Sequence, residues 1–209
     1  MRITRYIIKQ AGNPTGRFGR LFVTSMNRGH NALTKWGLRH LNITSKTAIL
    51  DIGCGGGKTV NRLAKIALDG YVCGVDYSDA SVAASTTANK GLIRGGRVEI
   101  LKASVSSLPF PAAMFDVVTA IETCYFWPDF QENLREIHRV LKPGGMVVLV
   151  NEAYKNIKFE KRNSSISKAC KFSYYLPSEF EEFLKKAGFS QVRIEVIKKK
   201  NWITVMGKK

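Results

Sequence analysis

Asp51-Ile-Gly-Cys-Gly-Gly-Gly-Lys-Thr59 follows the apolar run Thr47-Ala-Ile-Leu-Asp-Ile52 and leads into Val60, Leu63, Ala64, Ala67 and Leu68 at helical spacing. The order reads as strand, glycine turn, helix. Glycines in such a turn let the backbone approach a ligand closely, so the arrangement of the turn decides which ligand. A phosphate-binding loop needs Gly-x-x-x-x-Gly-Lys-Ser/Thr; Gly57-Lys58-Thr59 supplies the end of that pattern, but Ile52 stands where its first glycine belongs. The dinucleotide pattern Gly-x-Gly-x-x-Gly takes Gly53 and Gly55 and then meets Lys58, where a third glycine is needed for the helix to pack on the strand. What remains is Asp-x-Gly-x-Gly-x-Gly on Asp51, Gly53, Gly55 and Gly57.

Downstream, the same alternation continues. Tyr71-Val-Cys-Gly-Val75 reads as a buried strand ending at Asp76, and Ser78 opens a helix with Asp79 in its first turn. Val98-Glu-Ile-Leu101 is a third strand and Phe115-Asp-Val-Val-Thr-Ala-Ile121 a fourth. The helix Phe130 to Leu141, stopped by Lys142-Pro-Gly-Gly145, precedes a fifth strand, Met146-Val-Val-Leu-Val150. Asn156 to Tyr175 is polar, basic and aperiodic and reads as a long loop or lid. A helix over 177–188 has Pro177 at its start and Gly188 after its end. Val192-Arg-Ile-Glu-Val-Ile197 and Trp202-Ile-Thr-Val-Met206 then form an antiparallel hairpin around Lys198-Lys-Lys-Asn201. The fold expected is α/β: a Rossmann-like, doubly wound, mostly parallel seven-stranded sheet with a C-terminal antiparallel hairpin.

Taken together, four segments resemble the class I S-adenosylmethionine-dependent methyltransferases, of the small-molecule, methyltransferase type 11-like kind. They are the Asp51–Gly57 turn, Asp76 at the end of strand two, Lys102 to Phe110 followed by strand four, and Leu134-Arg-Glu-Ile-His-Arg-Val-Leu-Lys-Pro-Gly-Gly145. The resemblance covers residues 47 to 152. It implies S-adenosylmethionine as cofactor and S-adenosylhomocysteine as product. The implied cofactor-binding residues are Asp51, Gly53, Cys54, Gly55, Asp76, Tyr77, Ser104, Val105 and Glu122. Asp51 would accept from the methionine ammonium. Asp76 would take both ribose hydroxyls unless it merely caps the next helix. Many relatives carry an Asp where this chain has Ser104, so adenine would rest on the Ser104 and Val105 backbone and on Tyr77. Cys54 is also readable as a small residue that fits. Glu122, just past strand four, would meet the methionine ammonium or orient a nucleophile, or else cap the strand end.

Charge distinguishes the ends from the middle. Against 33 Lys and Arg the chain has 16 Asp and Glu, a net +17. Residues 1–48 contribute +9, residues 49–152 contribute −1 and residues 153–209 contribute +9. Such flanks suit an acidic substrate, an anionic membrane surface or nucleic acid, or serve only as a solvated surface. The 209 residues, 44% hydrophobic and 23% charged, suit one compact domain and exclude collagen-like, coiled-coil and wholly disordered chains. Residues 1–46 are expected to form a helical cap segment, with stretches at Phe18 to Ser25 and Leu33 to Leu41, and residues 47–209 the methyltransferase domain with its lid at 156–175. Four scattered cysteines without a Cys-x-x-Cys pair point to no metal site and no disulfide framework. The N-terminus lacks a signal-peptide apolar run and no segment approaches a membrane span, so a cytoplasmic location is expected.

Substrate candidates come from the flanks and the strand ends. Helices before strand one in such enzymes often cover the cofactor, so Asn27 and His30 are candidates for the pocket, His30 as a base or else as a surface histidine in a turn. Tyr125 and Tyr174 are candidates for its wall, unless they are plain core. The function expected is methyl transfer from S-adenosylmethionine to a small molecule. The alternative is a methyltransferase-fold protein binding RNA or an anionic membrane through its basic flanks; nucleic acid is not favoured, because no Asn-Pro-Pro-Tyr motif follows Ile121.

Overall fold

The computed structural model describes residues 29–170 and 172–209, with Thr15, Gly16 and Gly19. The expected helix at Phe18 to Ser25 and the candidate Asn27 lie outside the described residues. The alternating elements are α1 (Asn31–Leu38), β1 (Ile49–Ile52), α2 (Lys58–Ala64), β2 (Val72–Asp76), α3 (Asp79–Ala88), α4 (Lys90–Arg94), β3 (Val98–Lys102) and β4 (Phe115–Ile121). Then come α5 (Phe130–Val140), β5 (Leu141–Asn151), α6 (Glu160–Cys170), α7 (Pro177–Lys186), β6 (Ser190–Ile197) and β7 (Trp202–Lys208). The seven strands form one sheet in the order β3-β2-β1-β4-β5-β7-β6.

Strands β1 to β5 pair in parallel, and β7 pairs antiparallel with both β5 and β6. The central strands read as apolar runs because both faces are covered: every residue of β1 and β2 is buried. On one face Leu134, Ile137 and Val140 of α5 and Phe180 and Leu184 of α7 pack with Leu50, Val118 and Leu149. On the other, Val60, Leu63 and Ala64 of α2 pack with Ile49, Val72 and Val117, and Leu33 and Trp36 of α1 meet Val148 and Val150 of β5. Caps follow the sequence: Ser78 accepts from the Ser81 amide at the start of α3, and Asp129 from the Glu132 amide at the start of α5.

Two expectations are corrected. Lys142-Pro-Gly-Gly145 does not sit between helix and strand; α5 ends at Val140 and these residues belong to β5, whose Leu141 already pairs with Phe115 across a register shift. The supposed loop at 156–175 contains α6, introduced by a 3-10 turn at Ile157–Phe159 that the Asn156 side chain caps. This helix lacks an apolar stripe because it buries a single side chain, Asn163, whose amide donates to the Tyr154 carbonyl at 3.0 Å. Among the described residues no helix is long and apolar enough to cross a membrane.

Candidate active site

Two adjoining cavities open at the carboxyl ends of the parallel strands, where ligands bind in open sheets of this kind. The first is lined by the glycine turn, by Asp51, Asp76, Tyr77, Ser104 and Val105, and by Glu122, Phe126 and Trp127. Its floor is backbone. Gly53, Gly55 and Gly57 all take left-handed conformations, φ +69°, +51° and +73°, which favour glycine. A Cβ on Gly53 would run into the Thr123 side chain, and one on Gly57 into Ser85 and Asn89. The turn is pinned by the Gly53 and Cys54 amides, which donate to the Val75 carbonyl at 2.8 and 3.0 Å.

Two carboxylates face this cradle. Asp76 accepts from the Gly55 amide on one oxygen, 3.0 Å, and from the Ser78 amide on the other, 2.9 Å. It braces the turn; Ser78, not Asp76, is the N-cap of α3. Burial raises its pKa from the ordinary carboxylate value, and hydrogen bonds from the Ser78, Gly55 and Tyr77 amides and the Ser81 side chain oppose that shift. Asp51 is buried and accepts from Thr119 Oγ1 at 2.7 Å. Burial, with the nearby Asp76 charge adding to it, pushes its pKa up to about 7. Ser104 Oγ is turned into its own loop, accepting from the Ser106 amide at 3.2 Å, and Tyr77 is half exposed at the rim. Cys54 Sγ points to Ser85 Oγ at 3.7 Å and its thiol is pushed far up by burial, so it is packed rather than reactive.

The second cavity lies under α6, lined by His30, Glu122, Tyr125, Phe126, Glu152, Arg162 and Phe172 among others. It shares His30, Glu122 and Phe126 with the first. Glu122 has φ +59°, a left-handed conformation that costs a residue with a Cβ about 1–2 kcal/mol; its amide is held by the Val150 carbonyl at 2.9 Å. Its Oε1 accepts from the Tyr125 hydroxyl, 2.9 Å, and from the Glu152 amide. Tyr125 in turn accepts from the Ala153 amide at 3.0 Å. Oε2 faces His30 Nε2 at 3.8 Å, and the Glu152 carboxylate stands 4.0 Å from the same nitrogen. Burial, then the Glu152 charge, holds the Glu122 acid well above its usual range, while burial lowers His30. One ligand atom from each of His30, Glu122 and Glu152 lies within 4.8 Å of the others, a spacing a cation can bridge, although the sequence pointed to no such cluster.

Of the substrate candidates, His30 and Tyr125 line the second cavity, whereas Tyr174 lines neither cavity and donates to Glu160 at 2.8 Å. Glu152 and Arg162 went unnoticed. Glu152 had one available signal: it follows the carboxyl end of β5, beside the end of β4 that carries Glu122.

Residues 50–149 match the model of a family described as "Methyltransferase domain". An uncharacterized methyltransferase of Bacillus subtilis is 27% identical over 168 residues, covering 79% of this chain and 84% of the relative. A demethylmenaquinone methyltransferase of Staphylococcus saprophyticus is 30% identical over 137 residues, 65% of this chain and 58% of that one. In fold, the chain is similar to the crystal structure of an S-adenosylmethionine-dependent methyltransferase from Aquifex aeolicus. The TM-score is 0.73 at 18% identity, over 90% of this chain and 97% of that one. Residues 50–149 are a methyltransferase domain of the class I, S-adenosylmethionine-dependent kind. The chain is an enzyme of that class, and S-adenosylmethionine is its cofactor.

Proposed function

We propose that this enzyme methylates a small molecule held in the second cavity, with the cofactor in the first. The observation that carries this reading is that the two cavities meet at His30, Glu122 and Phe126, so that a donor in one and an acceptor in the other come together at a single junction. The first cavity fits the cofactor on its own features: a cradle where a Cβ would clash, and two buried carboxylates facing a ligand with an ammonium and a ribose diol. Asp76 stands in the wall of that cradle, where its carboxylate can accept from the ribose hydroxyls beside the backbone amides and the Ser81 side chain that already meet it. Asp51 answers the methionine ammonium, the Gly53–Gly55 backbone lets the ligand approach, and Ser104, Val105 and Tyr77 border adenine. When bound, S-adenosylmethionine supplies a methyl already activated on a sulfonium, so the protein's share is chiefly positioning. Tyr125 and the Glu152 amide fix the rotamer of Glu122 at the junction. The aromatic wall of Tyr125, Phe126 and Phe172 excludes water from the acceptor side.

Calorimetry with S-adenosylmethionine and S-adenosylhomocysteine, followed by a screen of metabolite classes for release of the demethylated cofactor, tests the reading. One-to-one cofactor binding and turnover with a small molecule are expected. Binding of ATP or a nicotinamide in place of the cofactor, or turnover with RNA alone, overturns it.

A further inference from the structure

We infer that the second cavity takes a small organic amine, held as its ammonium by His30, Glu122 and Glu152 at the junction with the cofactor cavity; this rests on reading that cavity as the acceptor site. The three side chains present acceptors and no positive charge of their own when His30 is neutral. His30 Nε2 stands 3.8 Å from Glu122 Oε2 and 4.0 Å from Glu152 Oε1, too far for hydrogen bonds between them. With all three atoms within 4.8 Å of one another, a single nitrogen seated over the triangle reaches each at an ordinary hydrogen-bond length of about 2.8–3.0 Å. A primary ammonium has three N–H donors to spend on them.

A second, independent feature is Glu122 itself. Its side chain is only 10% exposed, held in place through Oε1 by Tyr125 and the Glu152 amide, and its Oε2 is left aimed at the gap. Two carboxyl groups side by side in a half-buried wall do not both ionise readily unless a cation lies between them, and without one burial and the Glu152 charge hold the Glu122 acid well above its usual range. Arg162 lines the same cavity and its charge is felt at Glu122, but it does not lie between the carboxyl groups: its guanidinium is turned to the Glu152 carbonyl at 2.9 Å and to Asn163 Oδ1 at 3.0 and 3.1 Å.

The rest of the wall selects an organic cation over a metal ion. Tyr125, Phe126 and Phe172 form a cluster with ring centroids 4.9 to 6.1 Å apart, and aromatic faces attract ammonium groups and the carbon skeleton behind them. At about 360 Å³, the cavity has more than twice the room of the roughly 150 Å³ apolar cavity that binds benzene in another protein. A ligand of one or two rings with an aminoalkyl arm fits both parts.

In the transfer, one N–H bond of the ammonium breaks with its electron pair staying on nitrogen, and the proton passes to His30 Nε2. Rotation about the C–N bond turns the freed lone pair toward the cofactor cavity, where the new N–C bond forms as the methyl–sulfur bond breaks and its pair stays on sulfur. The product is a methylammonium, and His30, about a quarter exposed, returns its proton to solvent.

The test is calorimetry with saturating S-adenosylhomocysteine, which has no methyl to give. Benzylamine, phenethylamine and tryptamine are each compared with the alcohol and the carboxylic acid of the same skeleton. At least one amine is expected to bind about ten-fold more tightly than its alcohol, a charge-assisted preference. Glu152→Gln, whose side chain is half exposed and whose amide contact is unchanged, should erase most of that preference with S-adenosylhomocysteine affinity retained, and Glu122→Gln should erase it as well. The inference is overturned if no pair shows a preference for the amine, or if the preference survives in both variants. It is also overturned by Mg2+ or Zn2+ binding that the same variants abolish, which makes the trio a metal site. If S-adenosylhomocysteine itself fails to bind, or only nucleic acid is methylated, the reading of the cavity as an acceptor site fails instead.

Discussion

The first cavity is built from backbone and the second from side chains. Around the glycine turn, three left-handed glycines, the amides on Val75 and the amide-bound Asp76 leave little freedom to the chain. Over the second cavity the wall is His30, Glu122, Tyr125, Glu152 and a helix, α6, that buries one residue. A shared cofactor demands the same backbone in every enzyme that uses it, whereas an acceptor is chosen by side chains that can change without disturbing the sheet. The two regions should therefore fail differently when altered.

The largest effect is expected from Gly53→Ala. Backbone strain of about 1–3 kcal/mol, added to the collision of the new Cβ with Thr123, should abolish cofactor binding by calorimetry and lower the melting temperature. Normal binding would break the contrast, because it would mean that the turn tolerates a side chain. Asp76→Ala comes next. Losing a hydrogen-bonded charge should weaken S-adenosylhomocysteine binding by about 1–3 kcal/mol, or five- to 150-fold. A variant that is less stable yet binds normally would reduce Asp76 to a brace for the turn.

On the acceptor side, Tyr125→Phe removes the donor to Glu122 and strands the Ala153 amide. A loss of about 1–2 kcal/mol of stability is expected, with cofactor affinity unchanged in the same titration; a parallel loss of cofactor affinity would show the two cavities to be one energetic unit. Ile157, 99% exposed beside α6, should tolerate Ile157→Ser within about 0.5 kcal/mol by thermal melting. A larger change would reveal packing on that side of the helix.

Proton linkage sharpens the contrast in another way. The folded pKa of Asp51 is about 7, above its unfolded value, through burial and then Asp76. The folded state therefore binds more protons than the unfolded one between the ordinary carboxylate range and about 7. Stability of the ligand-free protein should fall as pH rises across that window and level off above it. Burial acts in the same sense on Asp76 and Glu122. Asp51→Asn should flatten part of the fall in a series of melts; an unchanged slope would place the effect elsewhere.

The legibility of the sequence follows the same division. β1, β2, β4 and the second half of β5 stand out because strands covered on both faces become uninterrupted apolar runs, and the glycine turn stands out because only glycine fits it. The helix α6 does not, since periodicity reports buried apolar faces and α6 buries only an asparagine. The first half of β5 hides behind Pro143 and two glycines, which read as a stop although Gly144 and Gly145 lie in the strand. At the site, Asp51, Asp76 and Glu122 are readable from their places at strand ends, but the partnership of His30 with Glu152 joins residues 122 positions apart and leaves no local pattern.

That α6 buries only Asn163, on the Tyr154 carbonyl, and is otherwise held by polar contacts such as Arg162 on the Glu152 carbonyl and Tyr174 on Glu160, also sets how this enzyme breathes. A helix with so little buried surface can detach while the sheet stays whole. In hydrogen exchange, its amides should trade with solvent long before those of β4. Each such excursion would uncover the roof of the acceptor cavity, so the ceiling on turnover would be set by a gate of a few polar contacts rather than by the chemistry beneath it.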